Sequence, residues 1–174
     1  MIEVLVTLVI VSFGLLGLAG LQTRLQTSEM ESYQRSQALL LLNDMANRIA
    51  TNRNNAASYE TTAASPLGIG MTCPTTTTTV VQRDLSEWCN ALQGAGEVTG
   101  GNKVGAMIGG RGCVESVGAD SYLITVVWQG LTPISAPPTA VACGANSYNS
   151  AGSSCVNDLC RRTVTTRVRI ATLS

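Results

Sequence analysis

The chain of 174 residues contains no histidine, and its aromatic residues are one Phe, two Trp and four Tyr. Histidine is the usual general base near neutral pH and the commonest metal ligand. Its absence argues against most hydrolases and metalloenzymes, and no GxSxG or S-x-x-K motif links the Ser, Asp and Lys residues that are present. We therefore expect no catalytic residue, no cofactor and no metal site, and we predict that the protein is not an enzyme.

A net charge is also absent, because eleven Lys and Arg balance eleven Asp and Glu. No overall field draws such a chain toward nucleic acid or an anionic surface. We therefore expect no nucleic-acid partner. The length allows one ordinary domain, or a long helix that carries a smaller globular head.

Cysteine is well represented, and all six cysteines follow the N-terminal region. No C-x-x-C pair occurs, and a zinc site without histidine would need four thiolates at spacings that this chain does not offer. Disulfides formed in an oxidising compartment are the better explanation, which predicts a periplasmic or extracellular location. The head is rich in Gly, Ser, Thr and Asn, so its thin core needs such cross-links.

A long apolar run stands at the N-terminus, where residues 4–21 read VLVTLVIVSFGLLGLAGL. Its length suits a helix that crosses a bilayer, and the hydroxyls of Thr7 and Ser12 can bond the preceding turn. No Lys or Arg precedes the run and no small-residue cleavage site follows it, as a signal peptide would require. We expect a retained membrane anchor.

The helical pattern continues beyond this run without a breaker. One apolar face recurs at Leu25, Ala38, Leu42, Met45 and Ile49. A single helix to near Arg53 is predicted, on the order of 80 Å long at about 1.5 Å per residue. We divide the chain into a transmembrane half at 1–24, an amphipathic half at 25–53 and a globular head at 54–174.

Two features of the apolar run admit more than one interpretation. Glu3 is either an interfacial charge that touches lipid headgroups or a carboxylate that pairs with a cation from a neighbouring subunit. Gly14, Gly17 and Gly20 favour local weakness of the helix over a specific dimer face, because their spacing is not GxxxG, and ordinary transmembrane glycine is the third alternative.

The head is predicted to contain a short helix and an antiparallel sheet. DLSEWCNAL, residues 84–92, has Asp84 as a potential cap with Glu87 in the capping-box position. Strands are predicted in VGAMI and GCVESV, in SYLITVVW and in TVTTRVRIATL. Their alternation suits a sheet with one face packed on the long helix. Arg161 and Arg162 are interpreted as a subunit contact or as an exposed strand start.

The six cysteines allow 15 connectivities, of which we select one. Between Gly130 and Cys160 lies a long irregular segment that needs fixing, and Cys143–Cys160 would close a loop worth roughly 3 kcal/mol. For the remaining cysteines we suggest Cys73–Cys89 and Cys113–Cys155.

The N-terminal segment MIEVLVTLVIVSFGLLGLAGLQ closely resembles that of processed type IV prepilins. The family segment begins with an N-methylated Phe after a cleaved Gly, and Glu3 matches its acidic position, which pairs with the N-terminal amine of an adjacent subunit. This chain begins at Met1 without the Gly-Phe junction, so we expect the segment to be truncated by two residues. The resemblance implies a single-pass inner-membrane protein that enters an extracellular pilus.

In the head, WQG after an apolar strand, the Cys143 to Cys160 loop, CRRTVTTRV and DLSEW resemble the PilV family of type IV pilus modification proteins, or minor pilins. The resemblance implies an α+β type IV pilin fold: a long N-terminal helix packed on an antiparallel sheet, with disulfide-linked loops. It also implies a role in initiating filament assembly with other minor pilins and the major pilin, and a tip adhesin is a further expected partner.

Two alternative functions remain open at this point. A minor pseudopilin of a type II secretion system has the same anchor and the same filament logic. An adhesive or ligand-binding head would use the loops between Gly130 and Cys160 as its contact surface, since loops often carry binding.

Overall fold

The computed structural model describes residues 2–103, 105 and 107–171, except for the side chain of Asn102. The chain divides into two compact units, residues 1–33 and residues 34–174. The dividing point lies within the segment 25–53 that the sequence assigns to the amphipathic half of the helix. Residues 104, 106, 172 and 173 fall within two of the predicted strands, and those parts of the predictions lie outside the described residues.

One helix, α1, occupies Ile2–Thr51, which agrees with the single long helix expected to end near Arg53. No proline interrupts it, and its second half is rich in Leu, Ala, Gln, Met and Arg, which are strong helix formers. The helical geometry ends at Asn52, which has φ −111° and ψ 41°. A 3₁₀ helix, Arg53–Tyr59, follows directly, and the sequence pattern did not predict it.

The unit from residue 34 contains a four-stranded antiparallel sheet. Its strands, in spatial order, are β1 at Leu67–Gly68, β4 at Arg111–Ser116, β5 at Ser121–Gln129 and β6 at Arg161–Arg169. Three of these strands agree closely with predicted ones, and the two-residue β1 was not predicted.

The predicted VGAMI strand is wrong at Met107 and Ile108, which lie in a bend and a turn, while Val104 and Ala106 are outside the described residues. A short hairpin precedes this segment, with β2 at Val98–Thr99 paired to β3 at Asn102–Lys103. Its turn is Gly100-Gly101, and both glycines have positive φ. A type I′ two-residue hairpin turn requires positive φ at both of its central residues, which glycine adopts readily. The two glycines therefore form a hairpin turn just before the run in which the strand was predicted.

The main core lies between the sheet and the second half of α1. Alternate residues of β5, namely Tyr122, Ile124, Val126 and Trp128, are buried in one cluster with Ala38, Leu42, Met45 and Ile49 of the helix. Val164, Val168 and Ile170 pack against the same cluster. The predicted apolar face of the sheet therefore meets the predicted helix face at these four helix residues, as the alternation indicates. Leu25, the first residue predicted for that helix face, is instead 62% exposed.

The short helix of the head, α2, spans Val80–Leu92 and begins four residues earlier than predicted. Thr79 is its N-cap, and the Thr79 side chain and Gln82 form a reciprocal capping box. The prediction of Asp84 as the cap is therefore wrong. Asp84 lies inside the helix and is nearly buried, because its carboxylate is used for tertiary contacts.

The opposite face of the sheet is partly covered by the irregular segment between Gly130 and Cys160. Val127 of β5 is buried there with Cys113, Cys143 and Tyr148. The central strand is consequently buried on both faces along much of its length. This segment is thus an integral layer of the head.

Arg161 and Arg162 fix this layer and are buried, so the interpretation of an exposed strand start is wrong. Arg161 donates to the carbonyl oxygens of Val141 and Cys143 and forms an ion pair with Asp158. Arg162 donates to the carbonyl oxygens of Thr132 and Leu159. Guanidinium groups carry five donors in a rigid fork, which suits them to collecting loop carbonyls.

The structure contains three disulfides, of which one was predicted. Cys73 is bonded to Cys89, as suggested from the sequence. The predicted pairs Cys113–Cys155 and Cys143–Cys160 are wrong, because Cys113 pairs with Cys143 and Cys155 pairs with Cys160. Cys113 points to the face of β4 on which the irregular segment folds, and Cys143 lies in that segment, so the tertiary layer decides the pairing.

Candidate assembly site on the N-terminal helix

The first half of α1 presents its apolar side chains to the surroundings on every side. Every residue from Ile2 to Gln26 is exposed, and the large apolar side chains among them are 52–76% exposed. A window of 18 residues in α1 reaches a mean hydropathy of 2.6, with none of it buried. Of the described residues, only this helix is long and apolar enough to span a membrane.

The few polar side chains in this run are satisfied within the helix. The hydroxyl of Thr7 donates to the carbonyl oxygens of Glu3 and Val4, at 3.0 and 2.9 Å. Ser12 donates to the carbonyl of Leu8 at 2.7 Å. Hydroxyls that bond the preceding turn need no water. An apolar solvent therefore accommodates these positions without orphaned donors.

Glu3 is the exception, since its carboxylate has no cationic neighbour on the described part of the chain. It lies in the first turn of α1, where the positive end of the helix dipole favours a negative charge. The next charged residue along the helix is Arg24, about 30 Å away at about 1.5 Å per residue. A cation for Glu3 must therefore come from outside the described residues, from solvent or from another molecule.

The three glycines of the run face open space in the isolated chain. A Cβ added at Gly14, Gly17 or Gly20 would meet no heavy atom within 4 Å, apart from the local backbone of the helix. The helix is continuous through all three. No contact within the described part of the chain requires glycine there, so the predicted helix weakness and the alternative helix–helix contact both remain predictions.

Exposed apolar side chains continue beyond the segment expected in the bilayer. Met30 and Tyr33 are about half exposed, and Leu40, in the second unit, is 62% exposed. In contrast, Ala38 and Leu42 on the same helix are buried against the sheet. The second half of α1 therefore packs its own sheet on one side and leaves apolar positions accessible on another.

A charged cluster ties α1 to α2 and to the 3₁₀ helix, and the sequence pattern did not predict it. Arg48 forms ion pairs with Asp44 at 2.9 Å, with Asp84 at 2.8 Å and with Glu87 at 2.7 Å. Burial lowers the pKa of Arg48, but the hydrogen bonds to Glu87, Asp44 and Asp84 outweigh this effect and raise it. The only sequence signal was the capping-box spacing of Asp84 and Glu87. That spacing predicts the start of a helix and does not predict ion pairs with Arg48.

Tyr59 completes this cluster from the 3₁₀ helix. Its hydroxyl donates to the Asp84 carboxylate and accepts from the side-chain amide of Asn52. Burial, together with the hydrogen bond to Asp84, raises the pKa of Tyr59 to about 12. Because the Arg48 side chain also bonds Asp84, this carboxylate has two partners, and the cluster fixes the end of α1 against the head.

Comparison with protein-family models, with curated proteins and with solved structures found no match.

Proposed function

We propose that this protein is a type IV pilin-like subunit, a minor pilin of the PilV type, that takes part in pilus biogenesis within a priming or tip complex. Its first helical half holds it in the inner membrane, with the head in the periplasm, until it enters the extracellular pilus. Other minor pilins and the major pilin are the partners of this helix, and a tip adhesin is a further proposed partner.

The observation that carries the proposal is the contrast between the two halves of one helix. The second half is fixed to the sheet by a buried apolar face and by the Arg48 cluster. The first half exposes an apolar surface on all sides, which is far too large to be left in water. Lipid before assembly and like helices after assembly are the two environments that bury it.

The carboxylate of Glu3 favours a bundle of helices over a single helix in lipid. A carboxylate at the edge of a hydrocarbon layer is costly, and an ammonium group from a neighbouring subunit neutralises it. The long distance to Arg24 prevents that side chain from serving. Pairing between subunits therefore favours the assembled state over the dispersed one.

Replacement of Glu3 tests this role. We expect Glu3→Gln to reduce the amount of the subunit in sheared filaments by at least tenfold, while Glu3→Asp retains part of it. Glu29→Gln, a substitution at an exposed glutamate of the same helix, is the matched control and should change nothing. The subunit is quantified by immunoblot in filament and inner-membrane fractions, so that failed assembly is distinguished from failed anchoring.

Incorporation of Glu3→Gln at the level of the unmodified subunit would contradict the role of the carboxylate.

The pseudopilin alternative is distinguished by deletion of the encoding gene. Loss of surface pili with normal secretion supports the pilus role, and loss of secretion with normal pili supports the type II system.

A further inference from the structure

The end of the sheet farthest from the buried loop layer carries a pocket lined by positive charge. The pocket has a volume of about 390 Å³ and is lined by Gly118, Ala119, Ser121, Arg167 and Arg169. None of the described residues that line it is acidic. At about 30 Å³ for one water, it has room for a polyatomic anion with part of its hydration shell.

The register of the sheet places the two guanidinium groups on the same face. Arg167 is paired with Leu123 and Arg169 with Ser121, so the two arginines are separated by one residue on β6. Residues two apart in a strand project to the same side. Arg167 also reaches across β5, where its Nη2 lies 3.4 Å from the carbonyl oxygen of Val117. Both side chains therefore converge on the β4–β5 turn.

Neither guanidinium belongs to an ion pair within the part of the chain that the structure describes. The four ion pairs found there involve Arg48 and Arg161, and neither Arg167 nor Arg169. Asp120 belongs to the adjoining turn, yet among the described residues it forms no ion pair with either arginine. The long contact of Arg167 with Val117 is the only hydrogen bond that either side chain makes among these residues. Most of their donors are left for a ligand.

The turn adds neutral donors to this positive pair. The amides of Gly118, Ala119 and Asp120 make no backbone hydrogen bond within the described residues, while the amide of Ser121 donates to the carbonyl of Gly118. Gly118 and Asp120 have positive φ, at 140° and 53°. Consecutive free amides in a turn with left-handed residues form concave anion sites.

We propose that this pocket binds a tetrahedral oxyanion, a phosphate or sulfate group, through Arg167, Arg169 and the amides of the β4–β5 turn. Guanidinium groups bind phosphate with two parallel hydrogen bonds, which are charge-assisted and therefore short and strong. The group is either a free inorganic anion or the terminal phosphate of a small ester. The site lies on the head and is independent of the assembly segment.

A simpler account of the same arginines is protection of a sheet edge. β6 is an edge strand, and charged side chains on edge strands discourage pairing with other chains. That account requires only exposed charge and predicts no saturable ligand. It also assigns no role to the turn amides, which makes the two accounts separable by titration.

The test is a nuclear magnetic resonance titration of the full chain in a non-ionic detergent that contains no phosphate. Sodium phosphate is added against sodium chloride at matched ionic strength. We expect saturable shifts at the amides of Gly118 and Ala119 with phosphate and none with chloride. A parallel titration with glycerol 3-phosphate distinguishes the two kinds of ligand. If the site takes a phosphate ester, glycerol 3-phosphate should bind as tightly as inorganic phosphate or more tightly. If the site takes a free anion, glycerol 3-phosphate should bind more weakly.

Variants assign the binding to the pocket. Arg167→Gln and Arg169→Gln should each weaken phosphate binding at least tenfold, whereas Arg83→Gln, at an exposed arginine of α2, should leave it unchanged. Asp120→Asn removes the carboxylate of the turn itself and keeps a residue that tolerates positive φ, so binding should tighten. Shifts that are equal in chloride and phosphate, or saturation that survives both arginine variants, would overturn the proposal.

Discussion

The more apolar half of α1 is the more exposed one, and the more polar half is the more buried one. The more apolar half, residues 4–21, is exposed at every position, while the more polar half has four apolar residues buried against the sheet. Both belong to one continuous helix with the same backbone geometry. Burial within this chain therefore depends on the presence of a covering layer and not on how apolar a segment is.

This difference assigns separate tasks to the two halves. Apolar residues at Ala38, Leu42, Met45 and Ile49 stabilise the head, because they are removed from water by their own chain. The exposed apolar residues of the first half have no such covering layer within the chain. Under the proposed function, they contribute on transfer into lipid or among other helices.

The largest effect is expected from the same substitution at a covered and at an uncovered position of α1. Met45 is fully buried and Met30 is 49% exposed. Met45→Ala should lower the free energy of unfolding of the head by about 2–5 kcal/mol, since it leaves a cavity, and Met30→Ala by about 0.5 kcal/mol or less. Denaturant unfolding in detergent, followed by the fluorescence of Trp88 and Trp128, measures both. Equal effects at the two positions would show that burial against the sheet does not determine how much an apolar residue of α1 contributes to stability.

Removal of single disulfides should affect only the head, and in an order set by loop length. The bonds close loops with sequence separations of 30 for Cys113–Cys143, 16 for Cys73–Cys89 and 5 for Cys155–Cys160. The chain-entropy relation then gives losses of about 3.6, 3.1 and 2.1 kcal/mol for the double Cys→Ala variants. Unfolding midpoints test the order, and a largest loss at Cys155–Cys160 would contradict it.

The smallest effect is expected from alkaline pH. Burial raises the pKa of Tyr59 and of Tyr148 to about 12, while an unfolded tyrosine ionises at about 10. Between these values the unfolded state releases protons that the folded state retains, so the free energy of unfolding falls as the pH rises. The stabilisation is complete below about pH 10 and lost above about pH 12.

Unfolding midpoints measured across this pH range should therefore decline less in Tyr59→Phe/Tyr148→Phe than in the unmodified protein. The helical circular dichroism that remains once the head has unfolded, which we assign to residues 2–33 in the micelle, should not change across this pH range. A pH profile identical in the double variant would show that other groups control the alkaline transition.

The elements with strong periodicity were predictable from the sequence. The long helix, the apolar face of β5 and the helix face that receives it follow from spacings of 3.6 and 2 residues. The Cys73–Cys89 pair and the short helix before the sheet were also expected. These features depend on patterns that are local in the chain, which is why a single sequence reveals them.

Features that depend on distant segments meeting were missed or wrongly predicted. Asp84 has the spacing of a helix cap, but its carboxylate bonds Arg48 and Tyr59, which are far away in sequence. Loop length favoured Cys143–Cys160, yet Cys143 bonds Cys113 because the loop layer folds over that face of the sheet. The pocket of Arg167 and Arg169 likewise requires the register of three strands.

Composition and periodicity were enough to predict one apolar helix long enough to cross a bilayer, an acidic residue at its start and a strand-rich head with six cysteines. They did not predict which helix face is covered, which cysteines are bonded and which carbonyl groups the buried arginines contact. Those outcomes depend on the packing of a loop layer against a sheet, and no local pattern encodes the distances between residues that lie far apart in the chain.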